Sequence, residues 1–335
     1  MKTDREALLQ VIDRFSGVGV AVWGDYILDE YIYGNTRRIS REAPVLILSY
    51  RSREYSLGGA GNAVLNLKHL GANPLPIGIL GLDEAGDKVV SLLKSHDIST
   101  SLLSRNRGFF TPIKTRILGG EDNTRKQQIL RIDRESSVPE SAGIRRRLKN
   151  ALERTAPRCR ALLVSDYNYM GVKVDLFAEI LPVFKQARIP VTVDSRFRLV
   201  SFDGATLATP NEPEVEEALK VEARGKERVL DEAALAIMKK CRLQALLITR
   251  GSNGMTLYER GKAPHSIPIS GSKDIVDVTG AGDTVISVFT LAISAGATFR
   301  QAALLANHAG GIVVMKKGAA TLTPEELRQA VLLSH

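Results

Sequence analysis

Cysteine is nearly absent: Cys159 and Cys241 are the two in 335 residues. They lack partners at metal-ligand spacing and are too few for a disulfide framework. That excludes a stapled secreted scaffold and leaves two buried thiols in a reducing compartment as the expectation. Long apolar runs are missing too. None approaches the roughly 18–20 residues that cross a bilayer, and the opening stretch MKTDREALLQVIDRF is charged and amphipathic, without a signal-peptide core. No membrane partner is expected, and the cytoplasm is the expected location. The sequence has no Walker-type G-x-x-x-x-G-K-[ST], and no G-x-G-x-x-G follows the first apolar run, where Gly24-Asp25-Tyr26 stands. P-loop and dinucleotide-binding readings therefore lose ground. None of the five histidines sits in a triad or metal pattern.

What is present is an ordinary globular composition, 44% hydrophobic and 25% charged, with ample material for a large core. No repeat or linker divides it, so one unit over residues 1–335 is expected. Lys and Arg outnumber Asp and Glu by 46 to 37, a formal charge of +9 that suits anionic partners such as phosphorylated small molecules. The basic residues are scattered (Arg37, Arg38, Arg41, Arg51, Arg53, then Arg145 to Arg147) without interleaved aromatics or a recognition-helix pattern, so nucleic acid is not expected. Arg145 to Arg147 with Lys149 read as a solvated basic face.

Short β-branched runs alternate with helical patterns, the signature of βαβ units and a mostly parallel sheet flanked by helices. Strands are predicted at Val18 to Trp23, Asn73 to Gly78, Ala161 to Ser165, Val191 to Asp194, Leu207 to Thr209 and Ala245 to Thr249. Helices are predicted at Gly61 to Leu70, Gly86 to Ser95, Ile144 to Thr155, Leu176 to Gln186, Glu212 to Leu219, Asp231 to Lys240, Gly282 to Ser294 and Phe299 to Val314. Two segments, about 30–50 and 109–133, break the rhythm and read as paired extended strands. The second carries Gly119-Gly120 before Glu121-Asp122-Asn123, a hairpin turn signal. Together they are expected to make a small β lid over the crevice beyond the strands' carboxyl ends; a peripheral edge of the main sheet is the alternative.

The densest chemical signal is Asp274-Ile-Val-Asp277-Val-Thr279-Gly280-Ala281-Gly282-Asp283-Thr284, leading into an apolar helix. Small residues at Gly280, Ala281 and Gly282 let main-chain N–H groups approach an anion, and the helix N-terminus adds positive potential. Asp283 at this mouth could take a proton from a hydroxyl attacking a phosphoryl group held above those amides. The alternative is a plain helix cap.

These residues carry a resemblance. Asp277 to Asp283 resembles the C-terminal signature of ribokinase-like (PfkB-type) sugar kinases, and Leu57-Gly58-Gly59-Ala60-Gly61-Asn62-Ala63 resembles their N-terminal one. Within that family the match is closest to the heptose-7-phosphate kinase domain of bifunctional kinase/adenylyltransferases. It rests on Gly24-Asp25, Leu28-Asp29, Arg38 to Val45, Lys114-Thr-Arg116, Gln127 to Asp133 and Ser165-Asp166-Tyr167. The resemblance implies transfer from ATP to the anomeric hydroxyl of D-glycero-D-manno-heptose 7-phosphate, with Mg2+, a monovalent cation such as K+, and a homodimer formed through the lid. The H-x-G-H motif of an adenylyltransferase domain is absent from the sequence, and adenylyl transfer is not expected.

The resemblance makes Asp283 the base and Gly280 to Gly282 the anion hole. It makes Asn211 and Glu214 organisers of Mg2+ through water, whereas alone they read as a capping box. Thr249, Gly251 and Gly254 lie along the nucleotide and Asn307 near the adenine. Asp25, Asp29, Gly58, Gly59, Asn62 and Asp166 shape the sugar pocket, and Lys114, Arg116 and Arg131, with Arg38 behind them, hold the distal phosphate. The sequence departs from the family pattern after Asp166-Tyr167, where Asn168-Tyr169-Met170-Gly171 intervene, at Arg41, and at Ser195-Arg196 after Asp194. Two other readings stay open: a related kinase for another sugar or sugar phosphate, such as ribose or fructose phosphate, and a catalytically silent sugar-binding protein.

Overall fold

The computed structural model describes residues 2–121, 126–271 and 275–334. Its elements run α1 (Lys2–Asp13), β1 (Gly19–Gly24), β2 (Tyr26–Ile39), β3 (Leu46–Gly59), α2 (Ala60–His69), β4 (Asn73–Gly81), α3 (Glu84–Ser95), β5 (Leu103–Asn106), β6 (Ile113–Gly120), β7 (Gln127–Arg134) and α4 (Ala142–Thr155). Then come β8 (Ala161–Asp166), α5 (Val174–Gln186), β9 (Val191–Ser195), β10 (Leu207–Ala208), α6 (Glu212–Leu219), α7 (Glu227–Lys240), β11 (Ala245–Thr249), β12 (Met255–Glu259), β13 (His265–Ile267), α8 (Ala281–Ser294), α9 (Phe299–Val313) and α10 (Pro324–Leu333).

The large sheet has the order β13-β12-β11-β10-β9-β8-β1-β4-β5 and is parallel except for the antiparallel β11/β12 and β12/β13 pairs. Period-2 alternation divides each central strand between two apolar cores. In β1, Val20 and Val22 face the cluster formed with α1, α2, α8, α9 and α10; Ala21 and Trp23 face the cluster formed with α4, α5 and α7. Because both faces are covered, these strands read as nearly continuous apolar runs. All six predicted strands and eight predicted helices are present, with ends shifted by a few residues. The flanking α1 and α10 and the edge strands β5, β12 and β13 lie outside the predicted helices and strands.

The second sheet, β3-β2-β6-β7, is the lid. Its strands span 26–59 and 113–134 and exceed the predicted 30–50 and 109–133 mainly toward the site. Tyr26 to Leu28 continue from β1 after a one-residue break, and Ser56 to Gly59 pair with them as true strand. The glycines had disguised this as loop. Of the hairpin signal, Gly119 and Gly120 close β6; Asp122 and Asn123 lie outside the described residues, as does Asp274. Pairing of Lys114 with Asp133 and of Arg116 with Arg131 puts all four on one face of the lid; Ile117, Leu130 and Ile132 fall on the other.

Both cysteines are buried and unpaired, and burial pushes each thiol up to about 11. Neither should react with a disulfide reagent at pH 8 in the folded protein, and both should react once it unfolds in guanidinium. Among the described residues, no helix is long and apolar enough to cross a membrane.

Candidate active site

The carboxyl ends of β1, β8 and β9 deliver Asp25, Asp166 and Asp194 to one crevice, as strand-end geometry requires. The helix α8 then aims Asp283 into it. Gly280 caps α8 with φ of 77°, a left-handed conformation that glycine adopts without penalty. No side chain caps this end. Ala281 N–H bonds Val278 O, and the first helical bond comes from Thr284 to Gly280. The N–H groups of Gly282 and Asp283 are therefore left open. Of the predicted Gly280 to Gly282, Ala281 alone spends its N–H inside the protein; among the described residues Gly280 and Gly282 keep theirs, and Asp283 adds another. A Cβ at Gly282 would meet nothing within 4 Å, so the space above these amides is clear.

Asp283 is 4% exposed and each of its oxygens accepts one bond. Asn62 Nδ2 donates to Oδ2 and the Tyr167 hydroxyl to Oδ1, both at 2.9 Å. Asn62 is fully buried in the first turn of α2, where Asn66 donates to its carbonyl at 3.0 Å and Thr284 in turn donates to Asn66 at 3.1 Å. This polar seam locks α2 to α8 in the middle of an apolar core. Burial pushes the Asp283 carboxyl up, the two hydrogen bonds pull it back, and the result is about 6.

A cleft of about 220 Å³ lies beside it, lined by Asp166, Tyr167, Asp194, Arg196, Thr209, Asn211, Glu214, Thr249, Gly280, Gly282 and Asp283. Asn211 and Glu214 form the capping box of α6, with bonds of 2.8 and 2.9 Å. Glu214 uses only Oε2 there, so a lone oxygen remains for the cleft. Burial raises both the Asp194 and Glu214 carboxyls, with repulsion from Glu214 and Asp283 adding to the first and from Asp283 to the second. Thr209 Oγ1 is buried without a hydrogen-bond partner. Hard oxygen donors, crowded acids and an orphaned hydroxyl form the donor set that Mg2+ takes. Among the described residues, no three acidic, histidine or cysteine side chains converge to hold a metal by themselves, so the fit is to an ion shared with water and phosphate oxygens.

Several predicted residues are placed differently. Asp25 spends most of its carboxylate inside the protein. Its oxygens accept the amides of Tyr167, Tyr169 and Gly171 at 2.9, 3.1 and 2.9 Å, making it the anchor of the loop after β8. Burial pushes it up to about 6. Asp166 is likewise spent inside the protein, on Ser195 at 2.7 Å and on the guanidinium of Arg198. Ser195 at the end of β9 and Arg198 just past it created that pairing, and nothing in the Ser165-Asp166-Tyr167 motif announced it. Arg38 sits nine residues along β2 from Asp29, roughly 30 Å at strand rise, exposed at the lid's far end, and does not join the other lid cations. Asn307 donates its amide to Pro268 O at 2.8 Å, Gly251 opens a short turn, and Gly254 is required by the chain itself, since a Cβ there would lie 2.1 Å from Ile267 O.

The lid supplies the opposite wall. Arg116 bonds Asp29 at 2.6 Å and lies over the Tyr31 ring; Arg131 pairs with Asp133. Among the described residues Lys114 has no carboxylate partner within ion-pair distance, and it rests 5.2 Å from the centre of the Tyr167 ring. Burial and the charges of Arg131 and Arg196 hold its ammonium below the usual range. Gly58 leaves room for Asp29, whose Oδ2 would lie 2.6 Å from a Cβ there, and Gly59 turns with φ of 56° against Asp25 O. The sequence reading missed Tyr167, Asp194, Arg196 and Thr209 as site residues. Beyond the motif that already held Tyr167, their signal was position, each standing at or just past the carboxyl end of a parallel strand.

In the solved structures the same fold recurs. Ribokinase of Arabidopsis thaliana, complexed with ribose and ATP, superposes with a TM-score of 0.72 at 17% identity over 95% of this chain and 100% of its own. Phosphofructokinase-2 of Escherichia coli, in complex with potassium, gives 0.74 at 16% over 95% and 98%. Nearer in sequence are the bifunctional proteins HldE of Pelobacter propionicus, 37% identical over 99% of this chain and 67% of theirs, and of Mesorhizobium japonicum, 38% over 98% and 65%. The chain thus spans about two thirds of these relatives' length. The profile of the pfkB family carbohydrate kinases, enzymes that use ATP and Mg2+, matches residues 20–326. With fold, cleft and sequence in agreement over nearly its whole length, the chain belongs to the pfkB family of carbohydrate kinases and is a phosphotransferase with an alcohol acceptor.

Proposed function

We propose that the chain transfers the γ-phosphoryl group of ATP to the anomeric hydroxyl of D-glycero-D-manno-heptose 7-phosphate, giving the 1,7-bisphosphate. The observation that carries this is the juxtaposition at Asp283: a clamped carboxylate, open amides of the α8 N-terminus beside it, and lid cations opposite. Asp283 takes the proton of the attacking hydroxyl, so turnover should rise as pH climbs through about 6. The open amides of Gly282 and Asp283 receive negative charge gathering on the transferred group. Asn211 and Glu214 would hold Mg2+ through water, and the ion would supply charge neutralisation at the phosphates. A monovalent cation such as K+ is part of the same reading. The heptose assignment is supported by the lid and strand-end motifs and by the HldE relatives. The exposed apolar face of Leu130 and Ile132, with Ile39, Val45, Leu46 and Tyr50 exposed farther along the lid, supports a homodimer formed through the lid.

Lys114, Arg116 and Arg131 are assigned to the distal phosphate, because guanidinium and ammonium groups meet phosphate with charge-assisted hydrogen bonds. The test is ATP consumption with heptose 7-phosphate, fructose 6-phosphate and ribose. The highest kcat/KM is expected on heptose 7-phosphate; a better acceptor among the others overturns the sugar and leaves the kinase. On the phosphorylated acceptor, Arg116→Ala should raise KM by about tenfold or more, with far less effect on the unphosphorylated sugar. An equal loss on both would mean that only Asp29 had been disturbed.

A further inference from the structure

Tyr167 stands where the base, the lid and the loop after β8 meet. Its backbone N–H is one of the three amides held by Asp25. Within that loop Asn168 and Met170 both adopt left-handed φ, 65° and 63°, a conformation that asparagine accepts readily but that is costly for methionine and persists there only when its surroundings impose it. Asp25 imposes it, and the outcome is that the Tyr167 ring lies under Lys114 and its hydroxyl points at Asp283 Oδ1.

From this geometry, and resting on Asp283 as the base, we infer that Tyr167 is a positioning residue for phosphoryl transfer: anchored by Asp25, it donates to Asp283, fixes the carboxylate's orientation and keeps it ionised. The phenol is suited to the task. Burial, together with the charges of Asp283 and Asp194, pushes it well above its ordinary value, so it remains a donor throughout the working range. With Asn62 on Oδ2 and Tyr167 on Oδ1, each oxygen keeps one lone pair in the carboxylate plane, and one of these is left for the sugar hydroxyl. The other groups facing Asp283 act from separate elements: Asp29 on β2 raises it and Lys114 on β6 lowers it, while Asp194, Glu214 and Arg196 line the cleft beyond. Removing the tyrosine hydroxyl takes away a bond that favours the charged form, so the carboxyl must titrate higher.

The test is Tyr167→Phe, which keeps the ring under Lys114, with kcat and KM measured from pH 5 to 9. The acid limb of kcat should move up by about one pH unit, with both KM values nearly unchanged. A limb that superposes on the parent's, or a kcat lowered by one factor at every pH, overturns the positioning role. A second measurement needs no change at 167. In protein labelled with 13Cζ-tyrosine, one resonance should show an inflection near pH 6 that is lost in Asp283→Asn, and its absence from the parent overturns the contact. Abolished turnover in Asp283→Asn with an unmoved limb in Tyr167→Phe removes the tyrosine's role alone. Sustained turnover in Asp283→Asn removes the base itself and this inference with it.

Discussion

Asp283→Asn should lower kcat by about two to four orders of magnitude, the contribution of a positioned general base, while changing ATP affinity by no more than a few-fold. The reasoning is geometric. Asparagine has the same shape, its amide oxygen can still accept from Asn62, and its amide nitrogen can donate to the Tyr167 hydroxyl where the carboxylate had accepted. Helix α8 should start where it does now, because its cap is the backbone of Gly280 and uses no side chain. The open amides survive, so the phosphates keep their seat. What is lost is the capacity to hold a proton from the sugar at the moment of attack. Single-turnover rates with saturating ATP, alongside direct titration of nucleotide binding, separate the two effects. A kcat within tenfold of the parent's would remove Asp283 as the base.

How much of this was legible beforehand varies with the range of the interaction. The Gly280 to Asp283 segment was readable because its chemistry is local: four consecutive residues define a left-handed cap, exposed amides and an acid in the first turn. The Asn211–Glu214 capping box was readable for the same reason. Asp25 and Asp166 were assigned to the sugar from the family resemblance. What decides the use of Asp25 is the loop 167–171, 142 residues and more along the chain, and what decides that of Asp166 is Arg198, 32 residues along. A sequence pattern of acids gives position along the chain and says nothing of which donors will converge on them. Tyr167 and Asp194 were missed for the complementary reason: an aromatic or an acid at a strand's end has no periodic partner, and only the assembled sheet shows what it faces. The lid's length was misjudged because Ser56 to Gly59 carry the composition of a turn, while tertiary pairing with Tyr26 to Asp29 makes them strand.

The two glycines of the cradle should fail in different ways, and that contrast is the second test. A Cβ at Gly280 would lie 2.4 Å from Asn62 Nδ2 and 3.3 Å from Ala319 Cα, on a backbone whose φ of 77° costs an alanine about 1–2 kcal/mol. Asn62 is pinned by Asn66 and the α2–α8 seam, so it cannot yield without giving up its bond to Asp283. Gly280→Ala should therefore strike the base through its neighbour: kcat falls by roughly 10²-fold and the thermal midpoint drops by several degrees. At Gly282 the same methyl group meets no protein atom within 4 Å and φ is not in the left-handed range. The folded protein accepts it, and alanine in a helical first turn is itself favourable. The methyl group instead enters the space above the open amides, where a phosphate would approach. Gly282→Ala should raise KM for ATP by tenfold or more, roughly the loss of one charge-assisted hydrogen bond, with an unchanged or higher melting temperature. If Gly282→Ala were instead to lower stability and leave KM for ATP untouched, the amides of the α8 N-terminus would be packing groups and the triphosphate would have to lie elsewhere in the crevice.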